Sequence, residues 1–395
     1  MKTHFQILAA LSLVISHWSL VNGQLITNNN IAITITSGAQ LTIKGDVQNN
    51  AGTTVTNNGT IDLNGNWIHN AANNCFGTST GTVIFDGANQ TIGGANSTTF
   101  NNLQLAGSGI KTLLQNTFAG GSNAIPSGVL DLTTRTLDLN SNRISITNPN
   151  TNAIGYTTGY IISEDVDNSS KVTWQINSTA GVHTIPFGTV SAVQIPFTYN
   201  LTSGNAGDVT VSTYPAASNN TPYPVTPILV THVRNNFGTD NSANTIDRFW
   251  EVDATGNPVA SLTFTYAPTE NAAAGNTNVR AQHWTSVFES WDTPLAGQIN
   301  PTSQSVFVAN VTQSGPWALA LETSPLPVEL LFFTAAPVDN KEVLCSWSTA
   351  SEINNDFFTV ERSKNGKSFE EVEKVKGAGN STKPLNYSFT DKNPY

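Results

Sequence analysis

Short apolar runs with period-two alternation dominate this chain. Between residues 24 and 149 they read IAITI at 31–35, LTI at 41–43, TIDL at 60–63, TVIF at 82–85, LQL at 103–105, LDL at 137–139 and ISI at 144–146. Alternating β-branched and apolar positions bounded by Asn and Gly are a strand signal. Asn58-Gly59 and Asn64-Gly65 suit the positive φ of tight turns. From Gln24 to Ile125 there is no proline. In a coil whose strands hydrogen-bond to rungs above and below, a proline leaves a donor missing. The pattern therefore predicts an all-β chain opening with a β-solenoid (right-handed β-helix-like) over 24–149, although the repeat period is irregular. An antiparallel sandwich of hairpins is the alternative.

From 150 to 324 the alternation continues with proline and aromatics added: KVTWQI (171–176), VQIPFTY (193–199), DVTVSTY (208–214), DRFWEVD (247–253), SLTFTY (261–266) and SVFVANV (305–311). This predicts an antiparallel β-sandwich region of one or two units. Pro196 inside its run predicts an edge strand. Outside the first 23 residues no helical period exceeds a turn or two.

The first residues read differently. Lys2 and His4 precede an apolar run from Phe5 to Val21, and Val21-Asn22-Gly23 offers small or apolar residues at the two positions a signal peptidase reads. Residues 1–23 are expected to be a signal peptide cleaved near Gly23. A membrane anchor is the weaker alternative, because the run is short and no basic cluster follows it. No transmembrane segment is expected in the mature chain.

Composition narrows the function classes. Only 11% of residues are charged, against ~25% in ordinary globular domains. Asn, Thr, Ser and Gly fill the solvent positions instead. A net charge of −10 without Lys/Arg clusters argues against nucleic acid or an anionic membrane as partner. Cys75 and Cys345 lie far apart, and two buried free thiols are preferred over a disulfide. Of 17 Lys and Arg and 27 Asp and Glu, 18 fall in the last 70 positions, and Ser324-Pro325-Leu326-Pro327 marks the expected boundary.

Residues 325–395 carry the most specific signal, a succession of strands and turns with Trp347 as core anchor. Leu326-Pro327-Val328-Glu329-Leu330-Leu331, Trp347-Ser348-Thr349-Ala350-Ser351-Glu352-Ile353-Asn354-Asn355, Val360-Glu361-Arg362-Ser363 with Asn365-Gly366, and Lys376-Gly377-Ala378-Gly379-Asn380-Ser381-Thr382 carry a resemblance. This stretch resembles the fibronectin-type-III-like module near the C-terminus of many secreted surface proteins of Bacteroidetes-type bacteria. Asp247-Arg248-Phe249-Trp250-Glu251-Val252-Asp253 also looks like proteins of that group. The resemblance implies a sorting domain read by type IX secretion machinery, which is then the expected partner. Against that pattern the sequence stops at Tyr395 before a final strand pair, so the module is expected to be truncated and the sequence a fragment.

Candidate chemistry is sparse. Asp131, Arg135 and Asp138 are close in sequence, and convergence of the two carboxylates on neighbouring rungs is the lyase-like alternative, with solvated turn and strand-face charges preferred. Glu164, Asp165 and Asp167 in SEDVDNSS offer oxygens for a hard cation, with an acidic turn as the default. Trp284 and Trp291 suggest a sugar-stacking platform, with core packing preferred. Histidines at 69, 183, 232 and 283 lack metal spacing, and no nucleophile elbow or phosphate loop occurs. No catalytic residue and no cofactor are expected. The sequence predicts an exported, non-enzymatic structural or adhesive protein, secreted or on the outer cell surface. The alternative is a carbohydrate-binding or polysaccharide-degrading β-helix protein, and the partners considered besides the secretion machinery are surface glycans or other cell-surface proteins.

Overall fold

The computed structural model describes residues 5–6, 13–20, 25–122, 126–234, 239–270, 278–287, 289–321, 330–339, 341–349, 352–366, 368–381 and 383–395. The protein is all-β, with an N-terminal β-solenoid of about six turns followed by antiparallel sheets. Gly23 and the 324–327 boundary lie outside the described residues. Within the apolar N-terminal run, Leu13–Leu20 pairs in parallel with Ala32–Ile43. No helix among the described residues is long and apolar enough to cross a membrane.

Three parallel sheets wall the solenoid. The second sheet shows why these short runs form it. Leu41, Ile61, Val83, Leu103, Leu130 and Ile154 stack in direct register, one per coil, and all are buried. Each alternate side chain enters an aliphatic column, and its neighbours face out. Coil length is set by the corners and not by the strands. In the first sheet the register steps are Ile26 to Val47, Val47 to Trp67, Ile92 to Leu113 and Thr136 to Tyr160, with Trp67 to Ile92 the longest of these. Corners of variable length explain the irregular sequence period.

Corners also create a polar problem, because some of their carbonyls, those of Gly65, Ala88 and Ser108, are met by side chains and not by a neighbouring rung. Two core-facing polar residues in successive coils solve it. Gln90, buried, donates to Leu63 O at 2.9 Å and to Gly65 O at 2.5 Å, and accepts from Gly87 N at 2.7 Å. One rung on, Lys111 pairs with Gln90 in register and is wholly buried. Its ammonium donates to Gly87 O at 2.8 Å, Ala88 O at 2.6 Å and Ser108 O at 2.9 Å. Burial pulls Lys111 down to about 8, which leaves it charged at neutral pH, with three acceptors for three protons.

The solenoid does not end at residue 149. Ile154–Gly155, Tyr160–Ile162 and Lys171–Gln175 form a further rung on each of the three sheets. Lys171–Gln175 is the pivot. One edge pairs in parallel with Arg143–Ile146 and the other pairs antiparallel with Asp208–Pro215. The third sheet then runs on through Arg248–Ala254, Gly315–Leu321 and Val279–Thr285 to Ser290–Trp291. A separate antiparallel sheet of Gly181–Ile185, Phe197–Asn205, Asn257–Thr265 and Ser305–Val311 faces it, making one sandwich. Phe264 sits at the centre, its ring 5.4 Å from each of Phe197, Trp250 and Trp317. Solenoid and sandwich share one continuous hydrophobic core. The expected break between 149 and 150 is thus absent from the hydrogen-bond network. Pro196 is not on an edge strand either. It precedes the first residue of Phe197–Asn205, which is paired on both sides, so its missing donor costs no ladder bond.

Beyond these lies a small two-sheet unit. Leu330–Val338, Glu342–Thr349 and Leu385–Asp391 form one sheet, and Glu352–Arg362 with Glu370–Ser381 the other. They close on Cys345, Trp347 and Val360, flanked by Phe358, Tyr387 and Phe389. Cys75 and Cys345 are both free and buried.

Replacing Lys111 with Met keeps the aliphatic stem and strands the carbonyls of Ala88 and Ser108, while Gly87 O keeps its bond from Ser108 N. Chemical denaturation should show a loss of at least about 1–3 kcal/mol, the cost of one unsatisfied buried acceptor. An unchanged midpoint would mean that water replaces the ammonium.

Candidate functional site

Where the solenoid becomes the sandwich, the third sheet is buried on both faces. Trp250 and Val252 face the sandwich core, whereas Phe249 joins Tyr214, Trp284, Trp291, Ala318 and Ala320 on the opposite side. Val230 and Val233, with Tyr223 and Ile228, cover that side. Two charged residues of these strands, Arg248 and Glu251, are buried, and such groups need internal partners or neutralisation.

Arg248 is the first such residue, with its side chain wholly buried. Its guanidinium donates to Glu270 twice, at 2.9 Å from Nε to Oε2 and 2.6 Å from Nη2 to Oε1. It also meets Glu164 Oε1 at 2.5 Å and Thr213 Oγ1 at 3.1 Å. The carboxylates reach further: Glu164 Oε2 accepts from Val190 N at 2.7 Å and Glu270 Oε2 from Ala267 N at 2.8 Å. This clamp ties the last solenoid coil, the third sheet and two loops together. Removing one member of such a buried cluster typically costs about 3–5 kcal/mol. Next door, burial and then Glu270 push the Asp247 carboxyl up to about 6.

The second cluster lies on the outward side of the same sheet. Strand register places Lys171, Ser212 and Glu251 in one row, and Thr173, Thr210 and Asp253 in the next. The hydroxyls of Thr173 and Thr210 hydrogen-bond at 2.9 Å. Glu251 is 3% exposed and neither of its oxygens meets a donor in good hydrogen-bond geometry. Burial, then the Asp253 carboxyl two residues along, push Glu251 up to about 9, against the pull of Lys171. Asp253 is raised by burial and lowered by Lys171. At neutral pH Glu251 keeps its proton. The pair stores a proton but presents no acid to a substrate, because both Glu251 oxygens are buried.

His283 has the look of a relay without a nucleophile. Nδ1 lies 2.8 Å from Asp292 Oδ2, but Nε2 lies 2.9 Å from the main-chain carbonyl of Ser314, where a hydroxyl would be needed.

The residues singled out from the sequence are not brought together. Asp131 lies on the second sheet, accepting from Gln104 Nε2 at 3.0 Å and Thr133 N at 3.0 Å. Asp138 lies on the first sheet and accepts from Asn140 N at 3.0 Å. The two carboxylates thus belong to different walls, because the chain turns a corner between them, and the lyase-like alternative has no carboxylate pair here. Arg135 donates to its neighbour Thr134 at 3.1 and 2.6 Å. Asp165 Oδ2 accepts from Ser141 N at 2.8 Å and from the Ser170 hydroxyl. Asp167 caps Ser169 N at 3.0 Å, while Glu164 is committed to Arg248. Among the described residues no three His, Cys, Asp or Glu side chains group as metal ligands. Trp284 and Trp291 require correction as a sugar platform. They pair across adjacent strands with ring centroids 5.2 Å apart, and both are 0% exposed. With Trp291 Nε1 donating to His232 O at 2.8 Å, neither ring offers a face to a ligand.

The solenoid surface carries amide ladders. Asn50 donates to Asn29 Oδ1 at 2.7 Å, Asn70 donates to Asn50 Oδ1 at 3.1 Å, and Ala95 N donates to Asn70 Oδ1 at 3.0 Å. A second ladder links Asp46, Asn66 and Thr91.

In the last unit, Glu352 is 3% exposed and collects four donors. These are Thr349 Oγ1 at 2.9 Å, Asn355 Nδ2 at 2.9 Å, Ala378 N at 2.8 Å and the Tyr387 hydroxyl at 2.5 Å. Two of the sequence motifs, 347–355 and 376–382, therefore meet at one carboxylate. Gly377 is needed there, since a Cβ would lie 2.4 Å from Asn355 O. Although burial raises Glu352, its hydrogen bonds outweigh it and hold the carboxyl below its ordinary value.

Two measurements follow from these carboxyls. Glu251 is raised in the fold from 4.5 to about 9, so its contribution is complete below pH 4.5 and is lost as pH rises through 9. Glu251→Gln should therefore gain stability relative to the parent as pH rises through that window; parallel curves would mean the group is not buried as described. Glu352 is lowered, so its contribution is complete above 4.5 and lost as acid protonates it. Glu352→Gln should cost about 1.5–3 kcal/mol at neutral pH, the worth of a hydrogen bond to a charged group, measured on the unfolding of the last unit. No known protein family, curated protein or solved structure matches this chain.

Proposed function

We propose that this is an exported, non-enzymatic structural or adhesive protein of the bacterial cell surface, carried out by type IX secretion. The observation that carries the reading is how the charged side chains are used. At the junction Arg248, Glu164 and Glu270 satisfy one another, and Glu251 is held protonated out of solvent. Outward positions on the coils bear amide and hydroxyl ladders such as Asn29, Asn50 and Asn70. A polar, weakly charged wall of this kind suits a stalk that presents hydrogen-bonding groups along its length. The final two-sheet unit, read as fibronectin-type-III-like, supports the export route through its resemblance. The segment 1–23, read as a signal peptide, supports the first step of it.

Protease treatment of intact cells of the native bacterium tests this. The protein should be digested from outside, and should remain inside cells in which the type IX machinery is disrupted. Protection from external protease in unperturbed cells would overturn the export reading. Release of reducing sugar from pectin, xylan or cellulose by the purified chain would overturn the non-enzymatic one.

A further inference from the structure

We propose that Asn365 is a site of spontaneous intramolecular deamidation, with the Ser363 hydroxyl relaying the proton and so speeding it. The chain contains Asn-Gly pairs at 58–59, 64–65 and 365–366 among the described residues. In an Asn-Gly pair the glycine nitrogen is unhindered toward the side-chain amide carbon. The three pairs sit in different surroundings.

Two are clamped between coils. Asn58 N donates to Ile35 O at 2.8 Å on the coil before, and Gly59 O accepts from Thr82 N at 2.9 Å on the coil after. Thr80 N and Thr80 Oγ1 donate to the Asn58 side-chain oxygen at 3.2 and 3.1 Å and Gly59 N donates to Asn57 Oδ1 at 3.2 Å, so no single group bridges the reacting nitrogen and oxygen there. Asn64 N donates to Ile43 O at 2.9 Å, and Gly65 O accepts from the buried Gln90. A Cβ on Gly65 would fall 2.2 Å from Gly45 C, so its backbone is pressed against the preceding coil. Ring closure has to twist the Asn-Gly peptide, and each clamp resists that twist.

The third pair lies in the turn between Glu352–Arg362 and Glu370–Ser381, with no coil on either side. Asn365 and Gly366 are exposed, Gly366 has φ +67°, and nothing lies within 4 Å of where its Cβ would be. The Gly366 N–H, the nucleophile, donates to Ser363 Oγ at 2.9 Å. Ser363 Oγ lies 3.2 Å from Asn365 Oδ1 and donates to it, and Ser368 N donates to the same oxygen at 2.9 Å. One hydroxyl thus bridges the nitrogen that must lose a proton and the oxygen that must gain negative charge. The Ser368 amide supplies a second donor to that oxygen.

The step balances without an oxidant or reductant. Gly366 N bonds to Asn365 Cγ while its proton passes to Ser363 Oγ, and the Ser363 proton passes to Oδ1. Collapse of the tetrahedral centre re-forms the Cγ–Oδ1 double bond as the Oδ1 proton passes to Nδ2, breaks the Cγ–Nδ2 bond and expels ammonia, leaving a succinimide. Water then opens either carbonyl, giving aspartate or the β-linked isoaspartate. The product adds one negative charge to the turn, and the isoaspartate form lengthens its backbone.

Peptide mass mapping of the purified full chain, aged in mildly alkaline buffer, tests this. Asn365 should convert at least about tenfold faster than Asn58 or Asn64, equivalent to about 1.4 kcal/mol of barrier. In urea-unfolded chain the three rates should converge. Ser363→Ala should slow Asn365 in the folded chain to about the unfolded rate, and Ser363→Thr should restore it. Comparable rates at all three sites in the folded chain, or slower conversion of Asn365 folded than unfolded, would overturn the proposal. An undiminished rate in Ser363→Ala would overturn the role of the hydroxyl.

Discussion

A strand has two edges, and in this protein one strand uses them in two different ways. Lys171–Gln175 takes the parallel ladder of the solenoid on one side and the antiparallel ladder of the sandwich on the other. A solenoid left open at its last coil would expose a row of unpaired amides and an aliphatic column. Here the third wall continues into the sandwich, and the core follows it from Ile146 through Trp174 to Trp250 and Trp317 without a gap. The sandwich serves as the cap of the coil. The Arg248 clamp then fixes the joint by reaching back to Glu164 on the last coil.

The pivot also decides where charge is tolerated. Where a sheet is covered on both faces it has no solvent side, so Arg248 is neutralised by pairing and Glu251 by protonation. The solenoid meets the same constraint through its backbone. There the corner carbonyls call for Gln90 and Lys111 in positions that the alternation assigns to apolar residues.

Much of this architecture was legible in the sequence. Alternation in runs such as TIDL and TVIF, together with the missing prolines, pointed to stacked strands, because both report on the backbone ladder directly. The joint was not legible. Proline and aromatic content shift near residue 150, whereas the hydrogen bonds cross that point unbroken. DRFWEVD looked like clean alternation, yet Arg248 to Val252 are all buried. The adjacency of Phe249 and Trp250 was the available sign of a strand covered on both faces. Asp131 and Asp138 lie seven residues apart yet on different walls, because sequence spacing says nothing about which corner intervenes. Glu352 was quoted within a motif, but its four donors come from three separate segments, and no spacing rule connects them.

The shared sheet has a thermodynamic consequence. Independent modules melt one after another, each with its own transition. Where one strand belongs to both ladders and one core runs through both, opening the sandwich uncovers the coil's final rung, and fraying of that rung strips an edge from the sandwich. The described residues between 25 and 321 therefore behave as a single cooperative unit, whatever their changes in composition suggest about division into parts.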